Sequence, residues 1–127
     1  MKLLLDTNAL IWWLDDDRRL GARARRRLAD ARTTTMATIV SVWEVTIKHR
    51  SGKMRHSGSR LLPVLAEQGL ELLDVRAEHI LAIDDLSMVH SDPFDHLILA
   101  QAKVERATLM TSDEQMTRYG IACIGTD

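Results

Sequence analysis

Met1-Lys2-Leu3-Leu4-Leu5-Asp6-Thr7-Asn8 opens the chain, and its reading decides the fold. Three consecutive leucines without polar alternation describe a short strand buried on both faces, the kind found in parallel sheets. A carboxylate, Asp6, follows at the point where the strand must end. Ligands of open α/β sheets bind at strand ends, so an acid there is placed for chemistry. Leu109-Met110-Thr111-Ser112-Asp113 repeats the pattern and delivers a second acid. Two such acids on neighbouring strands meet at the switch point of the sheet, although each alone is more often only a helix cap.

The chain between these two stretches alternates strand and helix signals. Asn8 is expected to cap a helix carrying Leu10, Ile11, Trp13 and Leu14, closed by Asp15-Asp16-Asp17. The Trp12-Trp13 pair reads as core. Leu20, Ala24, Leu28 and Ala31 mark a second helix, with Arg23, Arg26 and Arg27 on its other face. Thr33 to Ala37 favours a strand. Ser41 then opens a helix through Trp43, Glu44, Ile47 and Lys48, ended by Gly52. Lys53 to Arg60 reads as a basic loop made mobile by Gly52 and Gly58, and Leu61 to Gln68 as a helix with Pro63 in its first turn or at a kink. Leu70 to Val75 is a strand and Ala77 to Leu86 a helix. Asp92-Pro93 starts the strongest helix, running to Glu105, with Asp92 as cap and Pro93 at the first position. Thr108 to Thr111, Glu114 to Tyr119 and Ile121 to Ile124 complete the chain as strand, short helix and strand. The expectation is one α/β domain over residues 1–127, a three-layer α/β/α sandwich around a parallel sheet of about four or five strands with right-handed crossovers.

Composition agrees with a globular chain, at 46% apolar and 28% charged residues in 127. The longest apolar run, Ala9 to Leu14, is far too short to span a bilayer. Met1-Lys2 leads directly into the first strand, leaving no room for a signal peptide, and one cysteine, Cys123, allows no internal disulfide; a reducing cytoplasm is the expected compartment. Net charge is −1, unevenly spread: thirteen Lys and Arg against six Asp and Glu in residues 1–60, four against twelve in residues 61–127. The basic half suits a polyanion, or is simply a set of solvated helix faces.

Two further acids draw attention. Asp95 shares a helical stripe with Ile98, Leu99 and Ala102, so its carboxylate needs a partner, unless it only complements the helix dipole with Asp92. Glu44 fits a capping box with Ser41 and an ion pair with Lys48. Were Asp6, Glu44, Asp95 and Asp113 to converge, their mutual repulsion would call for a cation, and oxygen ligands favour Mg²⁺ or Mn²⁺. His49, His56, His79, His90 and His96 lack zinc-motif spacing with Cys123 and read as surface or supporting residues.

Taken in order, L-L-L-D-T-N-A-L-I-W-W at 3–13, S-V-W-E-V-T-I-K at 41–48, H-S-D-P-F-D-H-L-I-L-A-Q-A at 90–102, T-S-D at 111–113 and Y-G-I at 119–121 resemble PIN-domain proteins, specifically VapC-type toxins of bacterial toxin–antitoxin pairs. The D-P-F-D block followed by L-I-L-A-Q-A is the most specific part. The resemblance implies a metal-dependent endoribonuclease with its acidic site on Asp6, Glu44, Asp95 and Asp113, supported by Asn8, Thr111 and Ser41. It also implies a homodimer and a small VapB-type antitoxin whose C-terminal segment covers the groove. Two departures stand out: Asn8 where close relatives often have His, and His96 where they often have Arg, which turns attention to His96 as a substrate or antitoxin contact.

The mechanism expected on this basis has Asp6, Asp95 and Asp113 holding one Mg²⁺, with Glu44 helping to hold a second or to orient the attacking water. Arg23, Arg26, Arg27, Arg50, Lys53 and Arg55 are candidates for the RNA backbone or an acidic partner. A haloacid-dehalogenase-type phosphatase would need a second Asp at position 8, and a response-regulator receiver adjacent acids after the first strand; neither is present. A catalytically silent PIN scaffold that binds RNA or protein is the alternative from another class.

Overall fold

Leu3, Leu4 and Leu5 are all fully buried, but not in the same core. Leu3 and Leu5 pack with Leu10, Ala24, Val45, Leu61 and Leu65, whereas Leu4 packs with Met36, Leu73, Ile98, Leu99 and Leu109. Alternation of side chains along a strand makes this the signature of a sheet covered on both faces. In the computed structural model, which describes residues 1–127, that strand is β1 (Lys2–Leu5), at the centre of a five-stranded sheet. β2 (Thr34–Thr38) and β4 (Thr108–Met110) flank it, with β3 (Glu71–Leu73) and β5 (Cys123–Ile124) at the edges, in the order β3-β2-β1-β4-β5. Every pairing is parallel, in the registers Leu3↔Thr35 and Leu5↔Met110 on the two sides of β1. The expected three-layer α/β/α architecture with five strands is the one observed.

The helices are α1 (Thr7–Leu14), α2 (Ala22–Ala29), α3 (Ile39–Arg50), α4 (Gly58–Glu67), α5 (Ala77–Ala82) and α6 (Pro93–Glu105), with 3₁₀ turns at Ile83–Asp85 and Met116–Tyr119. None is long and apolar enough to cross a membrane. α6 has six consecutive buried residues, Leu97 to Ala102, as its nearly all-round apolar sequence requires. Its start is as expected, with the Asp92 carboxylate accepting from the amides of Phe94 (2.9 Å) and Asp95 (3.2 Å) and Pro93 at the first position. Trp12 and Trp13 pack against the first core.

Several local expectations are corrected by the structure. Asn8 does not cap α1; Asp6 does, its carboxylate accepting from the Ala9 amide at 2.8 Å, because β1 runs into α1 with no intervening loop. Ser41 does not open α3. Thr38 ends β2 and its hydroxyl accepts from the Val40 amide at 3.1 Å, so the helix begins at Ile39 and Ser41 lies buried inside it. Pro63 is the sixth residue of α4, beyond the first turn; the residue whose carbonyl it leaves unpaired, Ser59, is exposed, so water can satisfy it. His79 is fully buried and not a surface residue: its Nδ1 accepts from the Arg76 amide and its Nε2 contacts Glu105, tying the start of α5 to the end of α6.

Gly58 is a buried residue at the start of α4, not the hinge of a mobile loop. A Cβ there would stand 1.9 Å from Thr46 Oγ1 and 3.3 Å from the Val42 carbonyl oxygen, so only glycine lets α4 lie this close to α3. Gly58→Ala is therefore expected to destabilise the protein by about 1–2 kcal/mol despite alanine's better helix propensity. Adding Thr46→Ala should recover most of that loss in urea denaturation; a stabilised single variant would refute the close approach.

Candidate active site

β1 and β4 are hydrogen-bonded neighbours, so the residues leaving them emerge side by side. The Asp6 amide still donates to the Met110 carbonyl (3.1 Å), and three residues beyond Met110 the chain reaches Asp113. Connections run to opposite sides of β1 in the order β3-β2-β1-β4-β5, which makes the β1–β4 junction the topological switch point. α3 and α6 bring their own acids to this place.

Asp6 is only 5% exposed. Burial is the main reason that its pKa is raised to about 6; the nearby Asp95 and Glu44 charges add to the rise, while the Thr111 hydroxyl and the Ala9 amide oppose it. The Asp6 carboxylate is thus an anion held against its preference. Thr111 serves Asp113 as well, its hydroxyl oxygen accepting from the Asp113 amide at 3.0 Å.

Glu44 is equally buried, on the inward side of α3. The Thr7 hydroxyl donates to its Oε1 at 2.6 Å, and the Lys48 ammonium, one turn further along α3, donates to its Oε2. With its proton committed to Glu44, Thr7 accepts in turn from Ser41 at 2.9 Å. The expected Glu44–Lys48 pair thus forms, while the capping box does not. Burial opposes the Lys48 charge, but Glu44, with Asp92 and Asp95 further off, outweighs it and raises the lysine pKa. Thr7 and Lys48 are not among the site residues expected from sequence. Thr7 is overshadowed there by its neighbour Asn8, which lines the cleft but stays exposed. Lys48 reads in sequence as half of a surface ion pair, and only the inward turn of Glu44 brings it to the cleft.

Asp95 sits in the first turn of α6, half-buried, and its pKa is raised chiefly by burial, with the His90 contact pulling the other way. Its partner is His90, whose Nε2 lies 2.8 Å from Asp95 Oδ2. One ligand atom from each of His90, Asp95 and Asp113 fits within 4.8 Å of the others. His90 is likewise not legible in sequence as a site residue, because only the fold brings residues 90, 95 and 113 together. His96 is held close by: its Nε2 lies 2.7 Å from the His90 carbonyl oxygen and 3.1 Å from the Tyr119 hydroxyl.

All four expected acids, with Asn8, Asp92 and Lys48, line one cleft of about 130 Å³. Lys48, Asp92, Asp95 and Asp113 also wall a wider groove of about 500 Å³, which His90, Phe94 and Gln115 extend. The basic residues are more scattered. Arg50 and Lys53 follow Lys48 at the exposed end of α3, whereas Arg55 is paired with Asp15 at 3.2 Å. Arg23 and Arg26 are exposed on α2, and Arg27 lines a separate hollow with Met1 and Arg32, at the N-terminal ends of β1 and β2, opposite the cleft.

The donor set is chemically suited to a hard divalent cation: carboxylate oxygens crowded around buried, charge-strained Asp6, with one lysine as the only cation lining the cleft. In the absence of metal, folded Asp6 keeps a proton that the unfolded chain has released between about pH 4 and pH 6. The fold is therefore expected to lose stability as pH rises through that window, by about 3 kcal/mol at pH 7. Asp6→Asn, which keeps a capping side chain, should be more stable than wild type in EDTA at pH 7 and flatter in pH. Urea denaturation at pH 4.5 and 7.0 checks this; an Asn variant less stable at both would contradict it.

The PIN domain profile matches residues 3–122. No individually curated protein is similar enough in sequence to count as a relative. Among solved structures, a chain of the promoter-DNA-bound VapBC2 complex of Rickettsia felis superposes with a TM-score of 0.76 at 19% identity, covering 98% of each chain. A chain of DNA-bound VapBC from Salmonella typhimurium gives 0.71 at 18% identity, covering 100% of this chain and 99% of that one. One from VapBC-1 of nontypeable Haemophilus influenzae gives 0.71 at 15%, covering 99% and 98%. At such identities the superpositions speak for the fold, and the profile match over nearly the full length settles the grouping: the chain belongs to the PIN domain family.

Proposed function

We propose that this protein is a Mg²⁺- or Mn²⁺-dependent endoribonuclease acting as the toxin of a VapBC-type toxin–antitoxin pair. The observation that carries the reading is the convergence of Asp6, Glu44, Asp95 and Asp113 on one cleft at the switch point of a PIN-domain sheet. PIN domains are generally nucleases, which supports the reaction class. Asp6, Asp95 and Asp113 would hold the cation, which supplies positive charge to the scissile phosphate and a lowered pKa to water. Glu44, oriented by Thr7 and Lys48, is placed to align the attacking water, and the Lys48 ammonium faces the same cleft as a fixed positive charge for the phosphate. Asn8, Ser41, Thr111 and Asp92 shape the cleft or hold its acids.

Arg50 and Lys53 extend the positive charge outward from Lys48 and are the first candidates for the RNA backbone, with Arg23, Arg26, Arg27 and Arg55 acting at longer range on the polyanion. The VapBC complexes among the structural neighbours support an antitoxin partner for this chain too. Trp43 and Ile47 on α3, Ile80 and Leu81 on α5, and Met88 remain exposed, apolar side chains available to an antitoxin segment or a second copy of the toxin in a cytoplasmic assembly.

Purified protein is expected to cut RNA with Mg²⁺ or Mn²⁺ and to stop on addition of EDTA. Asp6→Asn and Asp95→Asn should each lower kcat by about a thousandfold. Attack by water leaves 5′-phosphate and 3′-hydroxyl ends, so a 2′,3′-cyclic phosphate would refute the mechanism. Folded wild type that binds RNA without metal-dependent cutting would instead support a catalytically silent scaffold. Replacing Arg50 and Lys53 by alanine should weaken RNA binding and reduce the salt slope by about 0.7 for each phosphate that is no longer neutralised.

A further inference from the structure

His90 borders the acidic groove, and both of its ring nitrogens are engaged. Nε2 lies 2.8 Å from Asp95 Oδ2, and Nδ1 is hydrogen-bonded to the Tyr119 hydroxyl. The His90 amide reaches the same Tyr119 oxygen at 3.1 Å, and His96 Nε2 reaches the His90 carbonyl oxygen at 2.7 Å. With neutral rings and an ionised Asp95, one arrangement of protons satisfies all of these contacts. A carboxylate only accepts, so His90 Nε2 carries the proton; Nδ1 is then the acceptor, and the Tyr119 hydroxyl donates to it. The His90 carbonyl accepts from His96 Nε2–H, and the Tyr119 oxygen accepts from the His90 amide. The ring of Tyr119, 8% exposed, is anchored in the second core, so the chain of contacts starts from a rigid support.

We propose that His90 is a positioning residue for Asp95: its Nε2–H occupies Oδ2, Tyr119 and His96 lock the imidazole in place, and Oδ1 is left as the oxygen that Asp95 offers to a cation shared with Asp113. This rests on the metal-site reading above. His90, Asp95 and Asp113 would also suit three direct ligands by distance alone, but both His90 nitrogens already have partners. Groups that orient a ligand in this way are worth about ten- to a hundredfold in metal affinity.

The test is Mn²⁺ binding followed by electron paramagnetic resonance on wild type, His90→Ala, His90→Gln and Tyr119→Phe, with circular dichroism to confirm folding. His90→Ala should weaken binding about tenfold or more, and His90→Gln, whose amide N–H reaches as far as Nε2–H, should recover most of it. Tyr119→Phe, which keeps the packed ring and loses only the hydroxyl, should fall between. Alanine binding within twofold of wild type, or glutamine as weak as alanine, overturns the positioning role alone. Wild type that binds no Mn²⁺ overturns the metal site and this role with it. Should His90→Ala fail to fold, ¹⁵N-resolved imidazole spectra of wild type still decide: an Nε2-protonated His90 that keeps its proton on addition of Mg²⁺ is expected, and an Nδ1-protonated ring or loss of the Nε2 proton overturns the proposal.

Discussion

Everything at the acidic cleft depends on β1 being the middle strand of a sheet buried on both faces. Leu3 and Leu5 are fixed in one core and Leu4 in the other, so a shift of register by one residue would exchange the two cores and is forbidden by packing. The last residue of the strand is therefore placed as rigidly as its centre. Asp6 takes the next position, and its backbone amide still belongs to the ladder through Met110. A carboxylate in such a place cannot retreat to solvent when other acids approach. Burial, with a smaller share from the neighbouring charges, strains its ionised form, and that strain is built into the fold.

Around Asp6 the remaining acids arrive on separate elements, each held by a different device. Glu44 is fixed by hydrogen bonds from Thr7 and Lys48, Asp95 by His90, and Asp113 by the amide–hydroxyl contact to Thr111 and by the Gln115 amide at 2.9 Å. No two of these three acids share the same support. Such a site is preorganised by parts held separately from one another, and the strain of the buried Asp6 carboxylate is the cost of that rigidity. The large apolar stripe of α6 matters here for the same reason: Ile98 to Ala102 anchor the helix whose first turn carries Asp95. Gln101 adds a polar anchor, accepting from the Thr38 hydroxyl and donating to the Asp74 carbonyl at 3.2 Å, which joins α6 to the ends of β2 and β3.

The division between Lys48 and the arginines is instructive about charge. The basic first half of the chain singles out Arg23, Arg26 and Arg27, yet the only cation lining the cleft is Lys48, the partner of Glu44. Counting charge along the chain ranks residues by type and misses direction. α2 lies across the first core through Ala24 and turns its arginines outward along its length, so that Arg27 ends near Met1. A single lysine placed one turn after an inward-facing glutamate reaches the acids because the α3 backbone carries it there.

Sequence by itself determined most of the elements and singled out four acids that share one cleft. The unbroken Leu3–Leu5 run, the Asp92-Pro93 start and the apolar stretch of α6 are local patterns, decided by periodicity and capping, and so they are legible without a fold. The parallel three-layer architecture followed from their alternation. Tertiary structure alone decided which polar residue serves which acid. Thr7 supports Glu44, Asp6 rather than Asn8 caps α1, and His90 and His96 point into a network with Tyr119 that lies 29 and 23 residues away in sequence. Those assignments depend on distances of a few ångströms between distant segments, and only the packing of the two cores sets them.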